Sequence, residues 1–163
     1  MSGTVQNWGL LILLLVANGS PIIVRSLLGD RLRARIDAGV SLGDGHALFG
    51  ESKTIVGAAV AVCTTTLLAA ALGFGWTIGL LIGTLAMLGD LVSSFVKRRI
   101  GLRSSAAAPG LDQIPESLLP MLAVKPLLAL SLTQVALLSL GFMLADLLIS
   151  RLLYRLGFRQ HPY

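Results

Sequence analysis

Long apolar runs alternate with two polar segments along the chain. The first run, about residues 8–28, would reach about 31 Å as a helix, enough to cross a hydrocarbon core of about 30 Å. Asn18-Gly19-Ser20-Pro21 interrupts it, and Pro21 cannot donate to the Ala17 carbonyl, which predicts a kink. A polar segment at 29–53 leads to a second run at about 54–72, closed by the tight turn Gly73-Phe74-Gly75. A third run covers about 76–96, and a second polar segment follows at 97–113. The remaining apolar stretch is too long for one span. Lys125-Pro126 is its natural break, leaving a short helix at about 112–124 and a longer one at about 128–154. The pattern predicts an all-α integral membrane protein, a single domain over residues 1–163 with about five transmembrane helices.

Composition agrees with the pattern. Of 163 residues, 55% are hydrophobic and 13% charged, whereas a soluble domain carries about 25% charged residues. Met1–Asn7 lacks the positive charge of a signal peptide, so no cleavable leader is expected. Cys63 lies alone in an apolar run and rules out a disulfide framework. Charge then sets orientation. Arg25, Arg31, Arg33, Arg35 and Lys53 flank or occupy the first polar segment; Lys97, Arg98, Arg99 and Arg103 occupy the second; Arg151, Arg155 and Arg159 close the chain. Only Lys125 falls on the other side, which predicts cytoplasmic polar segments, a cytoplasmic C-terminus and an outside N-terminus, in the cell (inner, cytoplasmic) membrane. The pI of about 10.2 therefore reports topology, and no nucleic-acid partner is expected. Gly75, Gly79 and Gly83 form a groove for a second helix, from this chain or from a homodimer partner. No internal repeat stands out, which argues against an inverted-repeat transporter.

Chemistry concentrates in the polar segments. The first contains Ile36-Asp37-Ala38-Gly39, then Asp44-Gly45-His46, then Gly50-Glu51-Ser52-Lys53-Thr54, with Gly57 beyond. A glycine-rich turn running into Lys-Thr at a helix start offers a phosphate amides, a helix dipole and a cation. The spacing is not that of a P-loop. At the end of the third run, Asp90, Ser94 and Lys97 share a helical face, with Arg98 and Arg99 following. An acid inside a span is costly and marks a functional candidate; neutralisation by Lys97 or Arg98 is the structural alternative. The cations alone could anchor anionic lipid. Asp112-Gln113-Ile114-Pro115-Glu116, however, supplies another carboxylate at membrane level opposite Asp90. Two carboxylates and a basic cluster are what a magnesium–triphosphate complex needs.

Taken in order, these residues resemble the CDP-archaeol synthase family and its bacterial relatives, themselves similar to phosphatidate cytidylyltransferases. The resemblance rests on the Asn18 region, Ile36-Asp37-x-Gly39, Asp44-Gly45, Gly50-x-x-Lys53-Thr54-x-x-Gly57, Gly89-Asp90-x-x-Ser93-Ser94-Phe95-x-Lys97-Arg98-Arg99-x-Gly101 and Asp112-Gln113. It implies five transmembrane helices with a site open to the cytoplasm. The implied reaction moves CMP from CTP to a lipid phosphate with Mg2+, giving a CDP-lipid and pyrophosphate. Asp90 and Asp112 are then the candidate magnesium ligands, and Lys53, Lys97, Arg98 and Arg99 the phosphate-neutralising cations. Asp44 and Gly45 would shape the nucleotide pocket and Asn18 would bond base or ribose, with Gly50, Thr54, Ser94 and Gln113 completing the nucleotide set. Three departures bear on the lipid acceptor: Arg35 stands where the family often has Pro, Ile55-Val56 where it often has Trp-Arg, and Asp146 and Ser150 where it tends to carry His and Asn. A CDP-alcohol phosphotransferase would need Asp-Gly followed by Ala-Arg, and here His46-Ala47 follows. A non-enzymatic protein binding anionic lipid or a partner through its basic segments is the other alternative; it has no use for Asp90 or Asp112.

Overall fold

The computed structural model of the chain describes residues 3–28, 34–106 and 108–155; Arg31, Arg33 and Arg159, counted above for orientation, lie outside them. The described residues form five helices: α1 (Gly3–Leu28), α2 (Ile55–Ala71), α3 (Trp76–Arg99), α4 (Gln113–Val124) and α5 (Leu132–Arg155). Helices α1, α3 and α5 are long and apolar enough to cross a bilayer, which makes this a multi-pass membrane protein. The 17 residues of α2 and 12 of α4 reach only about 26 Å and 18 Å.

The boundaries depart from the sequence pattern in three informative places. Helix α1 runs unbroken through Pro21. The Asn18 side chain there donates back to the Leu14 carbonyl at 3.1 Å, so the polar residue is satisfied within its own helix. Helix α3 continues past Val96 and carries Lys97, Arg98 and Arg99 as its last turn, where cations oppose the helix dipole. Helix α5 begins at Leu132 because Ser131 and Gln134 cap it reciprocally: each accepts the other's backbone amide, at 2.9 and 3.1 Å.

One apolar core joins the helices. Leu10, Leu13 and Leu14 of α1 meet Ile82 of α3, Met121 and Val124 of α4, and Val135, Leu138 and Phe142 of α5. Gly79 and Gly83 face α2 so closely that a Cβ at 79 would stand 2.6 Å from that of Ala69. The small-residue groove is thus filled within the chain. At the far ends of α1 and α5, Gln134 donates to the Asn7 side chain at 3.3 Å and Gln6 to the Leu128 carbonyl at 3.1 Å. The helix pair is fastened at that end.

The connection from 34 to 54 is ordered by backbone pairing. Ile36 donates to Lys53 and Ile55 to Ala34, both at 2.9 Å, while Leu48 donates to Val40 and Leu42 to His46, both at 3.0 Å. These bonds fold the segment back on itself and deliver Lys53-Thr54 to the start of α2, where the Thr54 hydroxyl accepts from Gly57.

Helix α3 also approaches α4 closely, at Gly89. A Cβ on Gly89 would lie 2.3 Å from the Pro115 carbonyl oxygen, which as backbone cannot swing away. Gly89→Ala should therefore destabilise the detergent-solubilised protein by about 1–3 kcal/mol. Gly19→Ala, where a Cβ meets nothing within 4 Å, should be neutral or slightly stabilising. Equal thermal unfolding midpoints for the two variants would show that the α3–α4 contact is not tight.

Candidate active site

A cavity of about 500 Å³ opens between the helices. Helix α1 contributes Asn18, Pro21, Ile22, Arg25 and Ser26; the folded connection and the start of α2 contribute Lys53, Thr54 and Gly57. From the other side come Asp90 and Lys97 of α3, Asp112 with Gln113 and Glu116 at the head of α4, and Asp146 and Ser150 of α5.

The charges are arranged in pairs across elements. Lys53 Nζ donates to both carboxylate oxygens of Asp90, at 2.5 and 2.6 Å. Lys97 Nζ meets Asp112 Oδ1 at 2.6 Å and donates to the Ala106 carbonyl at 3.1 Å. Asp112 Oδ2 accepts the Ala108 amide at 2.9 Å, which closes the turn before α4. The Glu116 carboxyl lies beside Asp90 in the cavity wall. Gln113 accepts from the Gly110 amide at 2.8 Å and donates to Asp146 Oδ2 at 2.9 Å, tying α4 to α5. Among the described residues, four carboxyls thus face three cations, Arg25, Lys53 and Lys97, across one cavity.

Residues outside the cavity hold the connection in shape. Asp37 is 5% exposed and accepts three amides, from Gly39 (3.0 Å), Phe49 (3.1 Å) and Gly50 (2.9 Å). Burial pushes its carboxyl upward, but the Gly50, Phe49 and Gly39 amides and nearby Arg35 outweigh that and hold it below the usual carboxylate value. Arg99 spans from α3 to the same connection, meeting Asp44 Oδ2 at 2.6 Å and the Ala47 carbonyl at 2.7 Å, with its guanidinium 5.2 Å from the Phe95 ring centre. Arg98 donates to the Arg103 carbonyl at 2.5 Å. Arg35 pairs with Glu51.

The residues singled out from the sequence therefore fall into two groups. Asn18, Lys53, Thr54, Asp90, Lys97, Asp112 and Gln113 line the cavity together. Asp44, Gly45, Gly50, Ser94, Arg98 and Arg99 do not line it: Arg99 and Asp44 hold each other, Gly50 donates to Asp37, and Ser94 is buried in α3. The carboxyl that meets Asp90 is that of Glu116, while Asp112 pairs with Lys97. Glu116 and Arg25 are cavity residues with no role in the site as read from the sequence, and Asp146, read there only as a departure bearing on the lipid acceptor, lines the cavity as well. A signal for Glu116 was present, since residues 112 and 116 share a face of α4.

The donor set suits a hard divalent cation. Carboxylate oxygens and amide carbonyls are the ligands magnesium prefers, and one or two carboxylates suffice when phosphates and water complete the shell. Among the described residues no three acidic, histidine or cysteine side chains are gathered into a self-sufficient metal cluster.

Comparison with known proteins places this arrangement. The family model described as CarS-like, CDP-archaeol synthase, matches residues 8–163. The chain is 42% identical over 105 residues to the CDP-archaeol synthase of Sulfurisphaera tokodaii, covering 61% of this chain and 60% of that protein. It is 36% identical over 112 residues to that of Pyrobaculum calidifontis, covering 66% of each. The chain thus spans 60–66% of the length of these curated relatives. A solved structure of an intramembrane enzyme for archaeal membrane lipids biosynthesis superposes with a TM-score of 0.68 at 30% identity, over 86% of this chain and 90% of that one.

Asp37 gives the connection a pH dependence. A carboxyl held below its unfolded value stabilises the fold above about pH 4 and loses that contribution as pH falls through the depressed value. Asp37→Asn should lower stability at neutral pH, on the order of 2 kcal/mol, because buried amides lose a charged acceptor. Its thermal midpoint should also fall less than the wild type's as pH drops below about 4. Parallel midpoint-versus-pH curves for the two proteins would show that Asp37 does not clamp the connection.

Proposed function

The chain belongs to the CarS-like CDP-archaeol synthase family, and on that premise we propose that it transfers CMP from CTP to a membrane lipid phosphate, releasing pyrophosphate and leaving a CDP-lipid. The observation that carries this reading is the cavity in which Lys53–Asp90 and Lys97–Asp112 meet beside Glu116, lined on one side by α1 and on the other by α3–α5.

The reaction requires a phosphate oxygen of the lipid to attack the α-phosphorus of CTP in line with the departing pyrophosphate. The attacking oxygen is already anionic, so no strong general base is needed. The obstacle is repulsion between two highly charged phosphates, and catalysis consists of charge compensation and alignment. Lys53 and Lys97 are placed to neutralise phosphates once a ligand competes for their carboxylate partners. Asp90, with Glu116 beside it, and Asp112 are the residues that would hold magnesium; bound there, the ion would neutralise triphosphate charge and orient it. Asn18 and Gln113 supply amides for base or ribose. Asp37 and Arg99 fix the connection that presents Lys53, and so act on the site through it. The excess of Lys and Arg in the polar segments supports a cavity on the cytoplasmic side, where CTP is found.

Two experiments test this. Purified protein with labelled CTP and a panel of lipid phosphates should form a CDP-lipid in the presence of magnesium, and chelation should abolish it. Replacing CTP with ATP or GTP should give much less product, and no product from any acceptor would refute the activity. In the same assay, Asp90→Asn and Asp112→Asn should each lower turnover at least 100-fold. Asp90→Asn should still fold, because Glu116 remains to face Lys53. Near-normal turnover would remove the altered residue from the required set.

Orientation has its own test. With Cys63 replaced by Ala, a cysteine introduced at exposed Ser105, on the cavity rim, should resist a membrane-impermeant maleimide added to intact cells. Rapid labelling from outside would invert the topology.

A further inference from the structure

The cations of the cavity are not equivalent. Lys53, from the connection before α2, and Lys97 of α3 are each bound to a carboxylate of α3 or the head of α4, at 2.5 and 2.6 Å. Arg25 lines the same cavity from α1, is exposed, and has no hydrogen bond or ion pair among the described residues. All four cavity carboxyls belong to the opposite side, on α3, α4 and α5. An anion bound against α1 would therefore meet an uncommitted guanidinium while standing off from the acidic wall.

The surroundings of Arg25 say what kind of anion this is. Pro21 and Ile22, one turn earlier on α1, line the cavity beside it, while Ile23 and Leu27 of the same turns are exposed on a helix built to face lipid. The cavity wall at this point is thus apolar toward the bilayer and cationic toward the opening. Helices α1 and α5 are fastened at their far ends through Asn7–Gln134 and Gln6–Leu128, yet around Arg25 and Ser150 both line the cavity. An amphiphile whose chains lie along Ile22 would bring its headgroup to Arg25. Guanidinium is suited to this task, because its planar fork donates two parallel hydrogen bonds to phosphate oxygens.

We propose that Arg25 is the residue that binds the phosphate of the lipid acceptor, holding it on the α1 side of the cavity while the triphosphate is served by Lys53 and Lys97. This deepens the cytidylyltransferase reading and rests on it for the word acceptor. The chemistry recognised is a phosphate monoester on a two-chain lipid. Arg25 also stands in the last turn of α1, where a cation offsets the helix dipole. A purely structural or topological role of that kind makes no distinction between substrates, which is what the experiment reads.

In turnover assays, Arg25→Ala should raise the KM for lipid phosphate about 10- to 100-fold, the worth of a charged hydrogen bond. The KM for CTP should stay within about twofold, and Arg25→Lys should recover part of the acceptor affinity. A binding arm needs no turnover. Dioleoyl phosphatidate or a diether glycerol phosphate, but not dioleoylglycerol or soluble glycerol phosphate, should raise the thermal midpoint of the wild type, and Arg25→Ala should lose that rise while keeping the rise from CTP with magnesium. Arg25 is exposed and has no partner among the described residues, so its truncation should leave the fold intact. Unchanged acceptor KM and unchanged phosphatidate stabilisation in Arg25→Ala would overturn the proposal, as would an equal rise in both KM values. If the wild type turns over no acceptor, the cytidylyltransferase reading fails, while the binding arm still decides whether Arg25 holds a lipid phosphate.

Discussion

A carboxylate at the depth of Asp90, nine residues inside the end of α3, cannot be left without a counter-charge. The nearest cations in sequence, Lys97 and Arg98, sit on the same helix two turns away and are turned to other partners: Lys97 to Asp112, Arg98 to the Arg103 carbonyl. The counter-charge comes instead from Lys53, carried in by the segment between α1 and α2. That requirement explains the care with which the segment is folded. Asp37 gathers three amides, Arg99 reaches across from α3 to Asp44, and the backbone pairs on itself, all of which fix where Lys53 emerges. An ion pair of this kind contributes little net stability after desolvation. Its consequence is positional: it joins the connection, α2 and α3 at one wall of a cavity, with exchangeable charges facing inward.

Much of this was legible in the chain itself. Five helices were readable because membrane helices announce themselves by long apolar runs, and only α1, α3 and α5 are long enough to do so without ambiguity. The ends were harder. The pattern stopped the third run at Val96 because hydropathy falls at Lys97, but three cations at a helix C-terminus are stabilised there and continue the helix. The start of α5 lay in Ser131 and Gln134, a capping pair rather than a hydropathy change. In the cavity, motif order brought forward Asp90, Asp112, Lys53 and Lys97, which do meet. It could not show who pairs with whom, because pairing across helices depends on the Gly89–Pro115 approach that brings α4 against α3 and Glu116 against Asp90. Arg25 was read for topology alone, since a single arginine at a helix end carries no pattern.

Charge balance in the cavity constrains the chemistry further. Among the described residues, four carboxyls against three cations make an inhospitable lining for a triphosphate. Either the anion stays out or it enters with cations of its own, and magnesium bound to phosphate oxygens is the form that matches these carboxyls. On the proposed reading, a nucleotide that displaced the lysines from their partners would release Asp90 and Asp112 to serve such an ion. The resting pairs therefore do two things with the same atoms. They keep the fold intact without ligand, and they hold each group within reach of the partner it would take on binding.

Helix length completes the picture. Helices α2 and α4 are the two that fall short of the bilayer thickness, by about 4 Å and 12 Å, and both begin at the cavity: Thr54 and Gly57 at the head of α2, Asp112, Gln113 and Glu116 at the head of α4. A helix that starts below the membrane surface leaves unpaired amides and the positive end of its dipole at that depth. In hydrocarbon this would be costly; against a polar cavity it is favourable, and against phosphate more so. The shortness of α2 and α4 is therefore what hollows the bundle on one side, and it aims two positive helix ends at a lining otherwise rich in carboxyls. The proposed reaction, which moves CMP from a water-soluble triphosphate to a bilayer lipid and releases pyrophosphate, needs such a depression, deep enough to admit the nucleotide and walled on one side by a helix facing lipid. The site's polarity and the bundle's uneven helix lengths are thus one feature, set by where the chain stops being helix.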